Sequence, residues 1–589
     1  MKYLCNPLNI EYKYQFCKNR DGHISVNREA ADPSMVLFKG KYYIYPSMTC
    51  GFWWSENMED WKFHPLKDMP VYDYAPDVRP VGDWLYFCAS SHEAGTHYRT
   101  HDPFSDVYER LDGNFPFWDP NLFEDEDGRL YFYWGSSPSE PIYGIELDRE
   151  TLKPIGERVA LFANNESVHG FERRGEDHVP TRSEEEKQMM LAGIMSQDIS
   201  DLQRNMAIAY IMDRGYIEGA WMTKHEGIYY LQYGAAGAQF NIYSDGVYVS
   251  KQPLGPFTLA KNNPFSYKPG GFLPGAGHGS TMTDKNGDTW HISTMRISVN
   301  HVFERRLGIW PAGWDEDGEM FCNQRYGDWP YTLEQFRNDP WADPEWMLLS
   351  YRKKAFASSE AEDCAAANAV DENVRTWWKA GTNKSGEWLC VDLGKASDVR
   401  AVQLNFADDH PDVQPPEGVS FTGDIYNTRW IDTNHQPTRW ILEGSLDGTN
   451  WQMIKDKSSV ETDLSHDLVV QEDGLMLRYL RLTIISVPYG QKPCVSGLRV
   501  FGKCNGETPV KASSVHCERH GDLDIYLDWK GGGLGYIVNF GYAPEKLYHS
   551  CMTFNQKAHL GGLVKGQDTY VRIDSFNESG ITKGDVFKA

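Results

Sequence analysis

Five times within the first 335 residues the chain repeats one pattern: a polar head residue, a short apolar run, a glycine turn and an aromatic strand. Asp32-Pro33-Ser34-Met35 leads through Gly40 to Tyr42-Tyr43-Ile44-Tyr45. Asp77-Val78 leads through Gly82 to Trp84-Leu85-Tyr86-Phe87. Asp119-Pro120 precedes Asp127-Gly128 and Leu130-Tyr131-Phe132-Tyr133-Trp134. Glu218-Gly219 precedes Glu226-Gly227 and Tyr229-Tyr230-Leu231. His278-Gly279 precedes Asn286-Gly287 and Trp290-His291-Ile292. Glycine turns between runs of β-formers specify hairpins. Tandem all-β units of about 40–45 residues mark a β-propeller with about four strands per blade. Five units therefore predict five blades over residues 1–335. The step from Asp119 to Glu218 is about twice the steps before it, which marks an insertion. Its Ser183-Glu184-Glu185-Glu186-Lys187 run and methionine-rich sequel predict a helical or mobile excursion with a solvated charged face.

In a propeller the first strand of each blade lines the axis. The heads Asp32, Asp77, Asp119, Glu218 and His278 are thus expected to converge on one axial cleft. A lone Asp serves equally well as a turn or cap. Four carboxyls in register are different, because clustered like charges repel and a purely structural repeat has no use for them. Aromatic side chains suit the walls of a sugar cleft as well as a core. Trp53, Trp54, Trp118, Trp221 and Phe240 are candidates for either role. The net charge of −25 argues against nucleic acid and anionic membrane surfaces as partners. No apolar run approaches the ~18 residues of a membrane-spanning helix. The 11 cysteines show no zinc-ligand spacing and read as reduced thiols. The first residues, Met1-Lys2-Tyr3-Leu4-Cys5, carry no apolar leader core. The expectation is a cytoplasmic protein, or a secreted or periplasmic one whose signal was removed.

Ala31-Asp32-Pro33, Ala75-Pro76-Asp77-Val78, Trp118-Asp119-Pro120, Ile217-Glu218-Gly219-Ala220-Trp221 and Gly277-His278-Gly279-Ser280 stand in order and in register with the repeat. With them the first ~335 residues resemble glycoside hydrolase family 43, a set of five-bladed propeller enzymes. The resemblance implies Asp32 as general base, Asp119 as the residue that tunes the acid's pKa and orients substrate, and Glu218 as general acid. Family members usually have Pro where Ala220 stands. The resemblance also implies that His278 helps to hold a hydrated cation, often calcium, or else contacts the acid cluster without metal. Arg296 is expected near substrate and acid, or in a salt bridge.

Residues ~355–503 resemble a discoidin-like β-sandwich, the fold of coagulation-factor C domains. The resemblance rests on Ala369-Val370-Asp371-Glu372-Asn373 with Thr376-Trp377-Trp378, Trp388 through Gly394, Glu443-Gly444-Ser445-Leu446-Asp447-Gly448, and Gly497-Leu498-Arg499-Val500-Phe501-Gly502. It implies a second calcium candidate in the Asp-Glu-Asn loop and a module that either binds glycan or shapes the cleft rim. Strand-like alternation in Asp522–Trp529, Gly535–Phe540 and Asp568–Ile573 resembles fibronectin type III. The expected organisation is an all-β chain: a propeller over 1–335, a discoidin-like sandwich with linker over 336–503 and a small sandwich over 504–589. The expected activity is inverting exo-hydrolysis of terminal pentose from plant oligosaccharide or polysaccharide, with α-L-arabinofuranosidase ahead of β-D-xylosidase and galactofuranosidase. A non-catalytic glycan-binding protein is the alternative of a different class. No organic cofactor is expected.

Overall fold

The computed structural model describes residues 2–18, 22–67, 74–90, 95–113, 115–175, 182–199, 201–212, 214–423 and 428–589. Five antiparallel sheets follow one another in the first part of the chain. They begin with the strands Ser34–Phe38, Asp77–Val81, Asn121–Glu124, Tyr216–His225 and Gly277–Thr283. Each of these first strands packs beside the first strand of the next sheet, and the fifth packs beside the first. The ring closes on itself, the arrangement of a β-propeller, which leaves each sheet only a short, protected inner edge.

One backbone device repeats at every inner strand, just ahead of the first three and at a register shift within the last two. Asp32, Ala75, Asp119, Gly219 and His278 have φ of 47°, 49°, 52°, 62° and 48°. These left-handed residues define the structural register of the repeat. Two residues after each, a side chain ties its sheet to the next. Ser34 Oγ accepts from Val78 N (3.3 Å), Asp77 Oδ2 from Leu122 N (2.7 Å) and Asn121 Oδ1 from Met222 N (2.8 Å). Trp221 Nε1 donates to Thr281 O (3.0 Å), and Ser280 Oγ accepts from Met35 N (2.9 Å). Five links thus run around the ring. They satisfy inner-strand groups that would be costly to bury unpaired.

The insertion between the third and fourth sheets carries two helices, Glu184–Met195 and Asp201–Ile211. Ser183 caps the first through a reciprocal capping box with Glu186. Its charged face is solvated, as the sequence predicts.

The segment boundary expected at 335/336 is crossed by strand pairing. Lys13–Lys18 pairs on one side with Ile24–Glu29 and on the other with Thr428–Asp432, deep in the second segment. The N-terminal hairpin therefore lies outside the five sheets and joins them to the sandwich. That sandwich centres on the long strands Glu387–Phe406, His466–Ser486 and Cys494–Lys503, with Trp378, Trp440, Leu480 and Leu498 in its core. The last segment forms a three-stranded and a five-stranded sheet around Trp529, Tyr536, Val538 and Phe540. Tyr267 of the first segment completes that core.

A chain ending at residue 335 would lose two strands of a four-stranded sheet and leave Lys13–Lys18 as an open edge. Such edges promote aggregation. We expect this truncation to be insoluble or inactive, measured by soluble yield and turnover beside the full chain. A folded, fully active 1–335 fragment would contradict this reading of the interface.

Candidate active site

The structure brings four of the five expected heads together. His278 Nδ1 lies 3.5 Å from Asp32 Oδ1 and 3.8 Å from Asp119 Oδ2. Asp32 is locked on both oxygens: Ser47 Oγ donates to Oδ2 (2.8 Å) and Arg305 Nη1 to Oδ1 (2.9 Å). Ser90 Oγ donates to Asp119 Oδ1 (3.3 Å). Glu218, half-buried, takes Tyr243 O–H on Oε1 (2.6 Å) and Ser136 O–H on Oε2 (3.2 Å). The left-handed backbone at Asp32 and Asp119 costs about 1–3 kcal/mol per residue. Hydroxyls hold it in place: Asp32 N donates to Thr294 Oγ1 (2.8 Å) and Asp119 N to Ser90 Oγ (2.9 Å).

Burial pushes the Asp119 carboxyl well above the usual carboxylate range. Neighbouring Glu218 and Asp32 add to the rise, and His278 opposes it without cancelling it. For His278, burial works against the charged ring, but Asp32, Asp119 and Glu218 together outweigh it, and its pKa is raised. Burial, reinforced by Glu218 and Asp32, also keeps the Tyr243 phenol far above its ordinary value. Tyr243 is therefore a fixed hydrogen-bond donor to Glu218. The cluster combines a carboxylate fixed by a guanidinium, a carboxyl disposed to hold its proton, and a half-exposed carboxyl with an adjacent donor.

The cation expected at His278 would draw most of its ligands from water. Among the described residues no group of three His, Cys, Asp or Glu side chains is arranged to hold a metal ion. The ring faces the carboxylates as their ion-pair partner and packs on Gly219. In the second segment, Glu372 of the Asp-Glu-Asn loop is taken up by the Arg499 guanidinium at 2.8–3.1 Å. Asp371 caps Asn373 N and Thr376 O–H. Both acidic side chains of that loop thus accept from protein donors.

Several expected cleft residues lie elsewhere. Asp77 is 2% exposed and links the second and third sheets, because its register is two residues past the left-handed head, where Ala75 stands. Trp53 and Trp54 belong to Gly51–Ser55, the third strand of the first sheet. Trp53 is in the core, and Trp54 packs on Phe104 between Lys41 and Lys62. Trp221 is buried under the Arg79 guanidinium, 3.4 Å from its ring centre. Phe240 and Arg296 are buried too; Arg296 Nη1 donates to Asn241 Oδ1 (2.7 Å). A side chain without an exposed face cannot wall a cleft. Trp118, next to Asp119 in the chain, is half-buried.

Sequence reasoning missed Ser47, Ser90, Ser136, Thr294, Tyr243 and Arg305. For four of them a signal exists. Four of the five aromatic second strands run into a hydroxyl: Tyr45-Pro46-Ser47, Cys88-Ala89-Ser90, Trp134-Gly135-Ser136 and Ile292-Ser293-Thr294.

Residues 25–320 match the model of glycosyl hydrolases family 43, and residues 368–482 match that of the NedA-like, galactose-binding domain. A xylosidase/arabinosidase of Bacteroides ovatus is 23% identical over 275 residues, covering 39% of this chain and 76% of the relative. The xylosidase/arabinosidase 43A of Humicola insolens is 25% identical over 289 residues, covering 39% and 79%. The solved structure of the family-43 protein BlXynB from Bacillus licheniformis is 13% identical, covers 85% of this chain and 98% of its own, and superposes with a TM-score of 0.40. The first half of the chain thus carries both the axial acid cluster and the family match: the protein belongs to family 43 of the glycosyl hydrolases. It is a glycosidase that carries a galactose-binding, discoidin-like domain behind its catalytic one.

Two outcomes are expected. A Cβ on Gly219 would lie 2.5 Å from the His278 ring at a φ of +62°. Gly219→Ala should cost about 1–2 kcal/mol of backbone strain and displace His278, lowering turnover at least about tenfold. Gly227→Ala, with φ of +78° in open space, should change stability alone. Melting curves and turnover of both variants check this. The second outcome follows from linkage. The folded pKa of Asp119 lies above its unfolded value, so the native state binds more protons between the two. Stability is therefore lost as pH rises through that window. Asp119→Asn should gain melting temperature over wild type progressively from about pH 4 to 8 while losing activity. A constant difference across that range would refute the assignment.

Proposed function

We propose that the axial cleft removes terminal pentose units from plant-derived oligosaccharide or polysaccharide with inversion at the anomeric carbon. The observation that carries this reading is the contrast between two carboxyls. Asp32 is fixed from both sides and buried, whereas Glu218 is half-exposed with Tyr243 at its back. On this reading Asp32 takes a proton from the attacking water and Glu218 gives one to the departing oxygen. Inverting hydrolysis needs two such groups ~6.5–9.5 Å apart, with room for water between them. Asp119 and His278 hold the field in which they work. Asp119, whose carboxyl is disposed to keep its proton, adds no second fixed negative charge beside Glu218.

The names of the two relatives, each a xylosidase/arabinosidase, support a pentose. We read the activity as α-L-arabinofuranosidase first, with β-D-xylosidase and then galactofuranosidase as alternatives on the same machinery. The five sheets are read as five blades. The last segment, with its three- and five-stranded sheets, is read as a fibronectin type III-like spacer.

A panel of nitrophenyl arabinofuranosides, xylosides and galactofuranosides should give turnover on a pentofuranoside or pentopyranoside. Asp32→Asn should abolish it, since general base assistance contributes ~10²–10⁴-fold. Proton NMR of the first-formed sugar should show the inverted anomer; a retained anomer would exclude direct attack by water.

A further inference from the structure

The propeller residues that hold the general base, Arg305 and Ser47, are themselves tied to residues outside the propeller. Arg305 reaches Asp32 with Nη1 only; its Nε and Nη2 both donate to Glu29 Oε1, at 2.9 and 2.5 Å. Glu29 closes the N-terminal hairpin, and its Oε2 faces Arg429 Nη1 at 3.4 Å. Arg429 stands on Thr428–Asp432, the strand that the second segment adds to that hairpin. The same Nη1 donates to Gln15 Oε1 (2.9 Å), and Gln15 Nε2 donates to the carbonyl of Met48 (3.0 Å). Met48 follows Ser47, whose hydroxyl holds the other oxygen of Asp32. Two chains of contacts therefore leave Arg429 and end on the two oxygens of one carboxylate.

Charge explains why such a chain is needed. Asp32, Arg305, Glu29 and Arg429 are all buried. Without Arg429, Glu29 would have only the Arg305 guanidinium, which it shares with Asp32, in a medium that solvates a charge poorly. Glu29 already takes two of the guanidinium's N–H groups. A Glu29 no longer held by Arg429 would draw Arg305 off its position on Asp32. With Arg429 present the row alternates in sign and sums to zero.

We propose that Arg429, supplied by the galactose-binding segment, and Glu29 are positioning residues for the base Asp32, so that the second module is part of the catalytic apparatus. The proposal rests on reading Asp32 as the base. It gives the appended module a task independent of glycan binding.

The test uses the full-length chain and whichever nitrophenyl glycoside the panel shows to be turned over. Arg429→Gln should lower kcat about tenfold or more, since small misplacement of a reacting group can cost up to ~10²-fold. KM should stay within about twofold, because the sugar-contacting surface is untouched. Arg429→Lys, which keeps the charge, should recover most of kcat. Asp463→Asn, which weakens the Arg28–Asp463 contact at the same interface without touching this row, should retain wild-type kcat. If Arg429→Gln does not fold, Glu29→Gln, isosteric and uncharged, should show the same kcat loss at constant KM. Wild-type kcat in folded Arg429→Gln or Glu29→Gln, with Asp32→Asn inactive, overturns the positioning role and leaves the base in place. A kcat loss in Asp463→Asn equal to that in Arg429→Gln would reduce the effect to general loosening and also overturn it. Full activity of Asp32→Asn would remove the base assignment and this proposal together.

Discussion

The left-handed residue at the head of each inner strand is the constraint on which the site depends. It precedes the first three inner strands by two residues and marks the register shift in the other two. It also places, two residues later, the group that links each sheet to the next. At Gly219 the conformation is free of Cβ strain; at Asp32, Asp119 and His278 it is not. Strain at non-glycine positions persists only where surrounding contacts over-determine it. Here the hydroxyls of Thr294 and Ser90 and the carboxylate–imidazole contacts supply that determination. The same geometry that closes the ring thus gathers the acids.

Gathering acids in a chain of formal charge −25 raises an electrostatic problem, and the structure answers it with basic side chains on two sides. His278 lies between Asp32 and Asp119. Arg305 lies behind Asp32, backed by Glu29 and Arg429. Farther out, Arg499 and Lys268 meet Glu372 and Asp328 where the first segment packs against the second. Breaking one partner of such a pair is costly because it strands a buried charge. The interface between the propeller and the sandwich is therefore tied to the site by charge as well as by strand pairing.

Much of this was legible in the sequence, for definite reasons. The hairpin repeat and the glycine turns are local signals, so the five sheets and the convergence of Asp32, Asp119, Glu218 and His278 could be read directly. Asp77 could not be placed, because the repeat was aligned on acid identity, whereas the backbone aligns it on Ala75. Trp53, Trp54 and Trp221 were ambiguous because an aromatic strand alternates faces, and only register decides which face meets solvent. Arg305 and Arg429 were invisible for another reason. Each acts across a large separation in sequence, on Asp32 and Glu29, and no local pattern announces an ion pair of that range. The hydroxyls after the aromatic strands were visible in principle, since they recur with the repeat.

The central claim is that Glu218 donates the proton to the departing oxygen while Asp32 activates water. The most direct test is the leaving-group dependence of Glu218→Gln. The variant should hydrolyse a natural oligosaccharide ~10²–10⁴-fold more slowly than wild type, and a dinitrophenyl glycoside, whose leaving group needs no proton, at close to the wild-type rate. An equal loss on both substrates, or no loss on the oligosaccharide, would contradict the assignment.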